Sequence, residues 1–363
     1  MLDAIIKQYG LPDNKWVLKP FGNGLINLTW ILESDDAKYI VQKINDSIFP
    51  DPVLIAQNLH ELNQYFNDHF PGYLFVNAED TLKKNQMYFL QGTGYFRMFR
   101  FIEGSVTFDI ANSAALAFEA ARQFGKFTRL LADFDISKLN ITLPDFHNLT
   151  LRYQQFEAAL LHGNAQRIKA CLASITFIKE QKNILDTYNQ MQGNHHFKKR
   201  VIHHDTKISN VLFDKNGKGL CVIDLDTVMP GYFISDVGDM IRTYLSPVSE
   251  EEKDFSKIEI RDEYFMAIVD GYLSEMSEEL SAEEKKYFVY AGKFMIYMQA
   301  IRFFTDYINN DIYYGAKYED QNLTRCNNQL QLLKQLLAKE TMLQAKVVQY
   351  ITHATKMPAP NAR

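Results

Sequence analysis

Cysteine is scarce. The chain has three in 363 residues, Cys171, Cys221 and Cys326, far apart and with no CxxC spacing. That argues against a disulfide framework or a zinc ribbon and points to a reducing compartment. No long apolar run is free of polar breaks. The most apolar stretch, 287–304, is interrupted by Lys293, Gln299 and Arg302, which fits a buried helix better than a membrane span. Positive charge is not in excess: 39 Lys and Arg stand against 44 Asp and Glu, for a net charge of −5. Such a balance suits non-specific nucleic-acid binding poorly, since that depends on neutralising phosphates. The first residues, Met1 to Lys7, lack the basic start and apolar core of a signal peptide, so the expected location is cytoplasmic, with no membrane partner. Internal repeats and low-complexity tracts are absent as well.

What is present is an ordinary folding composition, 47% hydrophobic and 23% charged, which argues against wholesale disorder. At about 150 residues per domain, the length suggests two or three domains or one two-lobed domain. Residues 16–44 read as β structure, with strand-like stretches at 16–18, 25–33 and 38–44 and turn residues Ser34-Asp35-Asp36 between the last two. Asp51-Pro52 opens a helix, with Asp51 as N-cap, Pro52 at its first position and a stripe of Ile55, Leu59, Leu62 and Phe66. Strand signal returns at 87–90 and 95–102. From about residue 111 long helices dominate, expected at 111–132, 150–164 and 166–192, and again from about 250 to 355. A β interruption spans 200–227. The expected architecture is therefore α+β, with a β-rich lobe over 1–104 and a mainly helical lobe over 105–363.

The interruption carries the chemistry. His203-His204-Asp205-Thr206-Lys207 leads into Asn210-Val211-Leu212-Phe213, then Asn216-Gly217, then Leu220-Cys221-Val222-Ile223-Asp224-Leu225-Asp226. An Asn-Gly centre between two apolar runs predicts a β-hairpin. With Gly217 as its centre, Asn210 and Asp224 lie seven residues away on either side and are expected to face each other. An amide oxygen and a carboxylate placed together suit a hard cation such as Mg²⁺. Asp205, five residues before Asn210, is placed to orient and deprotonate an attacking hydroxyl. His-x-Asp, four residues, Asn and then a further Asp is the spacing of a phosphotransfer loop. Lys207 either touches the γ-phosphate or the attacking oxygen, or is an ordinary solvated lysine. Asp226 is either a second metal contact or a structural acceptor. His203 is expected to brace the loop. His195, His196, His203 and His204 do not have a common zinc spacing.

In the N-terminal part, Gly22, Asn23, Gly24 and Asn27 mark a segment whose backbone can approach phosphates, although Gly-Asn-Gly is also an ordinary turn. The segment lacks the last Gly of GxGxxG and the Lys of a P-loop. Lys43 follows on the next strand, in phase with Tyr39 and Val41, where a lysine can reach the α- and β-phosphates. Glu61, on the following helix, is the nearest candidate partner for Lys43 but lies opposite the apolar stripe. The stretch 95–104 would connect the lobes and hold an adenine ring.

These residues resemble the aminoglycoside phosphotransferase and choline kinase superfamily and, within it, look most like N-acetylhexosamine 1-kinases. The resemblance covers most of the chain. Its specific parts are residues 39–45, 204–207, 223–231, 236–242 and 301–313, the last of which is the most specific. It implies a protein-kinase-like bilobal fold and ATP-dependent phosphorylation of the anomeric hydroxyl of an N-acetylhexosamine. By analogy, Arg302 and Tyr313 would hold the sugar, Asp205 its C1 hydroxyl, and Asn210 and Asp224 the Mg²⁺. Two positions depart from the family pattern. Leu25 stands where the family has a sugar-contacting His, and Leu28 stands where it has Asp.

The expected activity is that of a small-molecule kinase using ATP and Mg²⁺, with an amino sugar as acceptor. No Asp-Phe-Gly or Ala-Pro-Glu follows the hairpin, so no protein-kinase activation segment is visible. The alternatives are the same chemistry on choline, ethanolamine, homoserine or an aminoglycoside, and a non-catalytic nucleotide-binding protein on a kinase fold. Nothing in the sequence reveals the oligomeric state.

Overall fold

The computed structural model describes residues 1–13, 15–22 and 26–354. It is a mixed α+β structure with a small β-sheet region toward the N-terminus and a larger helical region toward the C-terminus. The chain separates into two compact units. One comprises residues 1–107, 133–144 and 211–230; the other comprises 108–132, 145–210 and 231–363.

The smaller unit is built on an antiparallel sheet of β1 (Val17–Pro20), β2 (Leu28–Glu33), β3 (Lys38–Lys43), β4 (Tyr88–Leu90) and β5 (Gly94–Arg100), in the order β1-β2-β3-β5-β4. Helix α1 (Leu2–Tyr9) buries Ile5 and Tyr9 in a core with Trp16, Leu32, Val41, Tyr88, Phe96 and Met98. Helix α2 (Pro52–His69) begins as its sequence predicts. The Asp51 side chain accepts from Val53 N at 3.2 Å, Pro52 opens the helix, and Ile55, Leu59, Leu62 and Phe66 are all buried. Asn58 secures the returning segments to α2. Its Oδ1 accepts from Asn140 N at 2.7 Å, and its Nδ2 donates to Asn140 O at 2.9 Å and Val228 O at 3.2 Å.

The larger unit contains α3 (Ala114–Leu130), α4 (Leu149–His162), α5 (Ala165–Ala170), α6 (Leu172–Glu180), α7 (Asn183–Gln192), α8 (Phe233–Tyr244), α9 (Asp262–Met276), α10 (Phe288–Ile308) and α11 (Gln321–Ala354). The stretch expected as a single helix over 166–192 is three. The α5–α6 junction falls at Cys171, and α7 starts after Lys182. The apolar 287–304 stretch is a buried helix, as its polar breaks implied. Glycine permits the tightest crossings. A Cβ at Gly271 of α9 would lie 2.2 Å from Phe118 O of α3, and one at Gly238 of α8 would lie 2.4 Å from Ala291 O of α10. Among the described residues, no helix is long and apolar enough to cross a membrane.

Candidate active site

In the larger unit, a short strand, β6 (Arg200–Ile202), runs into the loop that presents Asp205. Helix α8 holds this loop by its backbone. Asp236 accepts from His203 N at 3.0 Å and from His204 N at 2.7 Å. Asp239 accepts from Thr206 N at 2.9 Å, Thr206 Oγ1 donates to Asp236 O at 2.7 Å, and Tyr244 OH donates to Thr206 O at 2.6 Å. The loop's N–H groups are thus paired with fixed acceptors, so a sharp backbone path can persist away from water. His204 takes a left-handed conformation, φ 67°, a strain of the kind found where a reacting side chain is being aimed. His203 is sealed from solvent and edge-on to Phe124 at 5.1 Å, consistent with a bracing role. Among the described residues, no three His, Cys, Asp or Glu side chains converge on a metal geometry.

Asp205 is half-buried. Lys207 Nζ lies 2.9 Å from its Oδ1, and Asn210 Nδ2 donates to Asp205 O at 2.9 Å and to its Oδ2 at 3.2 Å. Burial pushes the Asp205 carboxyl up. The Lys207 ammonium, with His203 and Arg242 behind it, outweighs burial and holds the group below the ordinary aspartate value. The same pairing raises the Lys207 ammonium, whose principal cause is the Asp205 charge. Asp205 is therefore a carboxylate at neutral pH and ready to accept a hydrogen bond. Arg242 reaches Asp239 at 2.9 Å and Glu250 at 2.7 Å, and Glu250 in turn reaches Arg325 at 2.5 Å.

Beside the loop, within the same unit, lies an aromatic and cationic cluster. The His204 ring sits 5.4 Å from His147 and 6.5 Å from Phe146. Arg302, on α10, lies 5.7 Å from the Phe146 ring and 5.5 Å from that of Tyr314. It donates to Gln299 Oε1 at 3.2 Å, and its Nη2 lies 3.5 Å from Tyr313 OH. Asp306 fixes the Tyr313–Tyr314 turn by accepting from both backbone N–H groups, at 2.7 and 2.9 Å. Tyr313 itself is 69% exposed, so its ring faces solvent with its backbone fixed. The two residues assigned to a sugar by resemblance are thus adjacent to each other.

The smaller unit holds the other expected residues. Asn23 and Gly24, expected at the nucleotide, lie outside the described residues, as does Leu25; Gly22 takes φ 72°. The Asn27 side chain is committed inside the unit. Its Nδ2 donates to Asp226 Oδ2 at 2.7 Å and its Oδ1 accepts from Asn45 N at 3.0 Å. Arg97 Nη1 lies 2.5 Å from Asp226 Oδ1, while Nε and Nη2 of Arg97 donate to Gln42 Oε1 at 3.0 and 2.8 Å. Asp226 is therefore held as a structural acceptor in a buried knot. Lys43 pairs across β3 and β5 with buried Phe96, whereas Gln42 pairs with Arg97. Alternation therefore sets Lys43 in phase with the α1-covered face and Arg97 on the opposite one. Glu61 lies 3.9 Å from Lys138.

The hairpin, β7 (Val211–Phe213) with β8 (Gly219–Val222), forms as expected but in another register. Val211 faces Val222, and past a bulge Phe213 faces Gly219, so a 210-to-224 pairing is displaced by one residue. The cause is the connection. Gly217 N donates to Asp214 O and Asp214 N to Lys218 O, closing a loop centred on Asn216, with Gly217 at φ 80°. Asp224 is exposed and left-handed, φ 61°, at the start of a single turn over 225–227.

The family model of the phosphotransferase enzyme family, APH, matches residues 17–274. The chain belongs to this family. Solved structures share its fold at low identity. A microcompartment-associated aminopropanol kinase matches with a TM-score of 0.65 and 13% identity over 95% of this chain and 98% of its own. An aminoglycoside phosphotransferase from Alicyclobacillus acidocaldarius matches with 0.61 and 12% over 97% and 96%. An amicoumacin kinase, solved in complex with AMP-PNP, Ca²⁺ and Ami, matches with 0.60 and 12% over 92% of each chain.

Both Nδ2 hydrogen bonds of Asn210 go to Asp205, which leaves Oδ1 as its ligating atom. Asp224 offers an exposed carboxylate. Protein sites for Mg²⁺ commonly supply one or two oxygens and leave the rest to phosphate and water. Sequence reasoning missed Arg97, His147 and Arg152. Arg97 had a signal, since Gln42 and Arg97 both break apolar strands. His147 and Arg152 lie on an unremarkable helix entry and had none.

Proposed function

We propose that this phosphotransferase is an ATP-dependent, Mg²⁺-requiring sugar 1-kinase of the cytoplasm that phosphorylates the anomeric hydroxyl of an N-acetylhexosamine. The observation that carries the reading is the Arg302–Tyr313 pair, set in the same unit as Asp205 and linked to its loop through Phe146 and His204. Guanidinium and phenol groups can hydrogen-bond ring hydroxyls and an amide carbonyl. The functional division at about residue 104, with donor binding before it and acceptor binding after it, is part of this proposal.

Asp205 accepts the hydrogen bond of the C1 hydroxyl and aims its oxygen at the γ-phosphorus. As the new O–P bond forms, the bond from phosphorus to the β,γ-bridging oxygen breaks, and the proton passes to an Asp205 carboxylate oxygen. Lys207, held 2.9 Å from Asp205, keeps that carboxylate ionised before the reaction and stands beside the incoming phosphoryl charge. Asn210 Oδ1 and the Asp224 carboxylate would hold Mg²⁺, which neutralises phosphate charge when bound. On the donor side, the backbone of 22–27 and Lys43 are assigned to the phosphates.

A panel of N-acetylglucosamine, N-acetylgalactosamine, galactose, ethanolamine, aminopropanol and an aminoglycoside, read by ADP release, tests the reading. The expected product is an anomeric phosphate, identified by ³¹P NMR. Aminopropanol belongs in the panel because a structural neighbour carries it in its name. Turnover of an amino alcohol with none of the N-acetylhexosamines would replace the sugar reading.

A further inference from the structure

Arg302 does not stand alone. Arg152, on the first turn of α4, donates Nη2 to Asp145 O at 2.9 Å and Nη1 to Gln155 Oε1 at 3.1 Å. Its Nε is buried with no hydrogen-bond partner among the described residues. Both arginines frame one short segment: Arg152 binds the carbonyl of Asp145, and Arg302 lies over the ring of Phe146, which stacks on His147 at 4.3 Å. Among the described residues, neither guanidinium has an Asp or Glu oxygen within 4 Å. The neighbouring carboxylates are engaged elsewhere. Asp145 accepts from Asn148 Nδ2 at 2.8 Å, Asp306 holds the 313–314 backbone, Glu250 pairs with Arg242 and Arg325, and Asp205 pairs with Lys207.

The local field is consequently positive although the whole chain carries a net charge of −5. Two side chains register it. Burial, then Arg302, lowers the Arg152 guanidinium. Burial, then His204, Arg302, Arg242 and Arg152, lowers the His147 imidazole well below its usual value, so His147 is neutral at physiological pH. Partly buried guanidiniums without counter-ions are costly unless a ligand compensates them.

We propose that Arg152 and Arg302 form a charge filter at the acceptor end, which rejects ammonium-bearing acceptors and admits those whose amine is acylated. The inference rests on the sugar-kinase reading above and deepens it. An N-acetyl group removes the positive charge and offers a carbonyl oxygen to the guanidinium N–H groups. A free ammonium at the same place meets two like charges. Juxtaposed like charges at an interface disfavour the wrong partner. Arg152 thereby becomes a specificity-determining residue beside the expected Arg302.

The test compares N-acetylglucosamine with glucosamine at a pH where glucosamine carries its ammonium, with kcat/KM measured for each. The wild type should prefer the acetylated sugar by about 100-fold or more. Arg152→Gln should reduce that ratio about tenfold, with most of the change in KM for glucosamine. Arg152→Lys keeps the charge and should keep the ratio within about threefold of wild type, which separates charge from the support Arg152 gives to Asp145. Equal use of the two sugars by the wild-type protein overturns the filter and leaves the sugar-kinase reading intact. So does an unchanged ratio in Arg152→Gln, or an equal fall in Arg152→Lys. Phosphorylation of aminopropanol with no turnover of either sugar overturns both.

Discussion

Asp226 and Asp236 are both shut away from water, at 2% and 0% exposure, yet they are held by different partners. Asp226, in the smaller unit, meets a cation: Arg97 at 2.5 Å, with Asn27 Nδ2 at 2.7 Å on its other oxygen. Asp236, in the larger unit, meets backbone. His203 N and His204 N donate to its two oxygens, and among the described residues no Lys or Arg forms a salt bridge with it. Burial pushes the Asp236 carboxyl up to about 6, even with the His203 ring and two N–H groups opposing it. The first arrangement fastens side chains to side chains across 199 residues of sequence. The second fixes the backbone path of the residues around Asp205. A buried charge with a counter-charge is a fastening that is lost when one member is removed. A buried carboxylate on two N–H groups sets loop geometry and remains open to protonation.

The largest effect should come from the residue that the loop presents. Asp205→Asn keeps the shape and removes the proton acceptor, so turnover should fall by about 10²–10⁴ while nucleotide affinity, measured by calorimetry, stays near wild type. Wild-type turnover would remove Asp205 from its role. Next is the knot. Asp226→Ala leaves the Arg97 guanidinium, 1% exposed, with Gln42 alone, and should destabilise the protein by about 3–5 kcal/mol in chemical denaturation. A loss under about 1 kcal/mol would mean that the pair behaves as a surface ion pair and that the contrast with Asp236 is empty. Asp236→Asn comes third. An amide can accept from only one of the two N–H groups and turns its own NH₂ toward the other, so the expected loss is about 1–3 kcal/mol with a matching drop in turnover from a displaced loop. Reduced stability with full turnover would separate Asp236 from the aim of Asp205.

Much of this was legible in the sequence because it is local. The N-cap Asp51, the α2 stripe, the strands at 38–43 and 94–100, the hairpin and the Asp205–Asn210 loop each follow from residues a few positions apart. Helix α1 was not read, although Leu2, Ile5, Ile6 and Tyr9 have helical spacing. What escaped is nonlocal or turns on one residue. Asp226 could be read either as a metal contact or as a structural acceptor, and only its partners decide between them. Nothing near Asn27 announces a partner so far along the chain. The hairpin register shifted because the connection at 214–218 is centred on Asn216 and not on Gly217, with a bulge between Leu212 and Phe213.

The smallest effect is the most specific to the comparison. The folded-state value of Asp236, about 6, lies above the ordinary aspartate value of 3.8. Between those two values the native state binds more protons at this group than the unfolded chain does. Stability from this group alone therefore rises as pH falls through 6 and is lost as pH rises past it. Between pH 7 and pH 5 the gain should be about 1 kcal/mol. It is isolated by subtracting the same pH series for Asp236→Asn, which cannot titrate. Other carboxylates move in the opposite sense: Asp205 and Glu250 are both held below their ordinary values by nearby cations despite burial, so their contributions fall as the solution becomes more acid. The difference between wild type and variant removes those shared terms. A difference that is flat across this range would mean that Asp236 stays ionised, and that the two N–H groups compensate its charge as fully as Arg97 compensates Asp226.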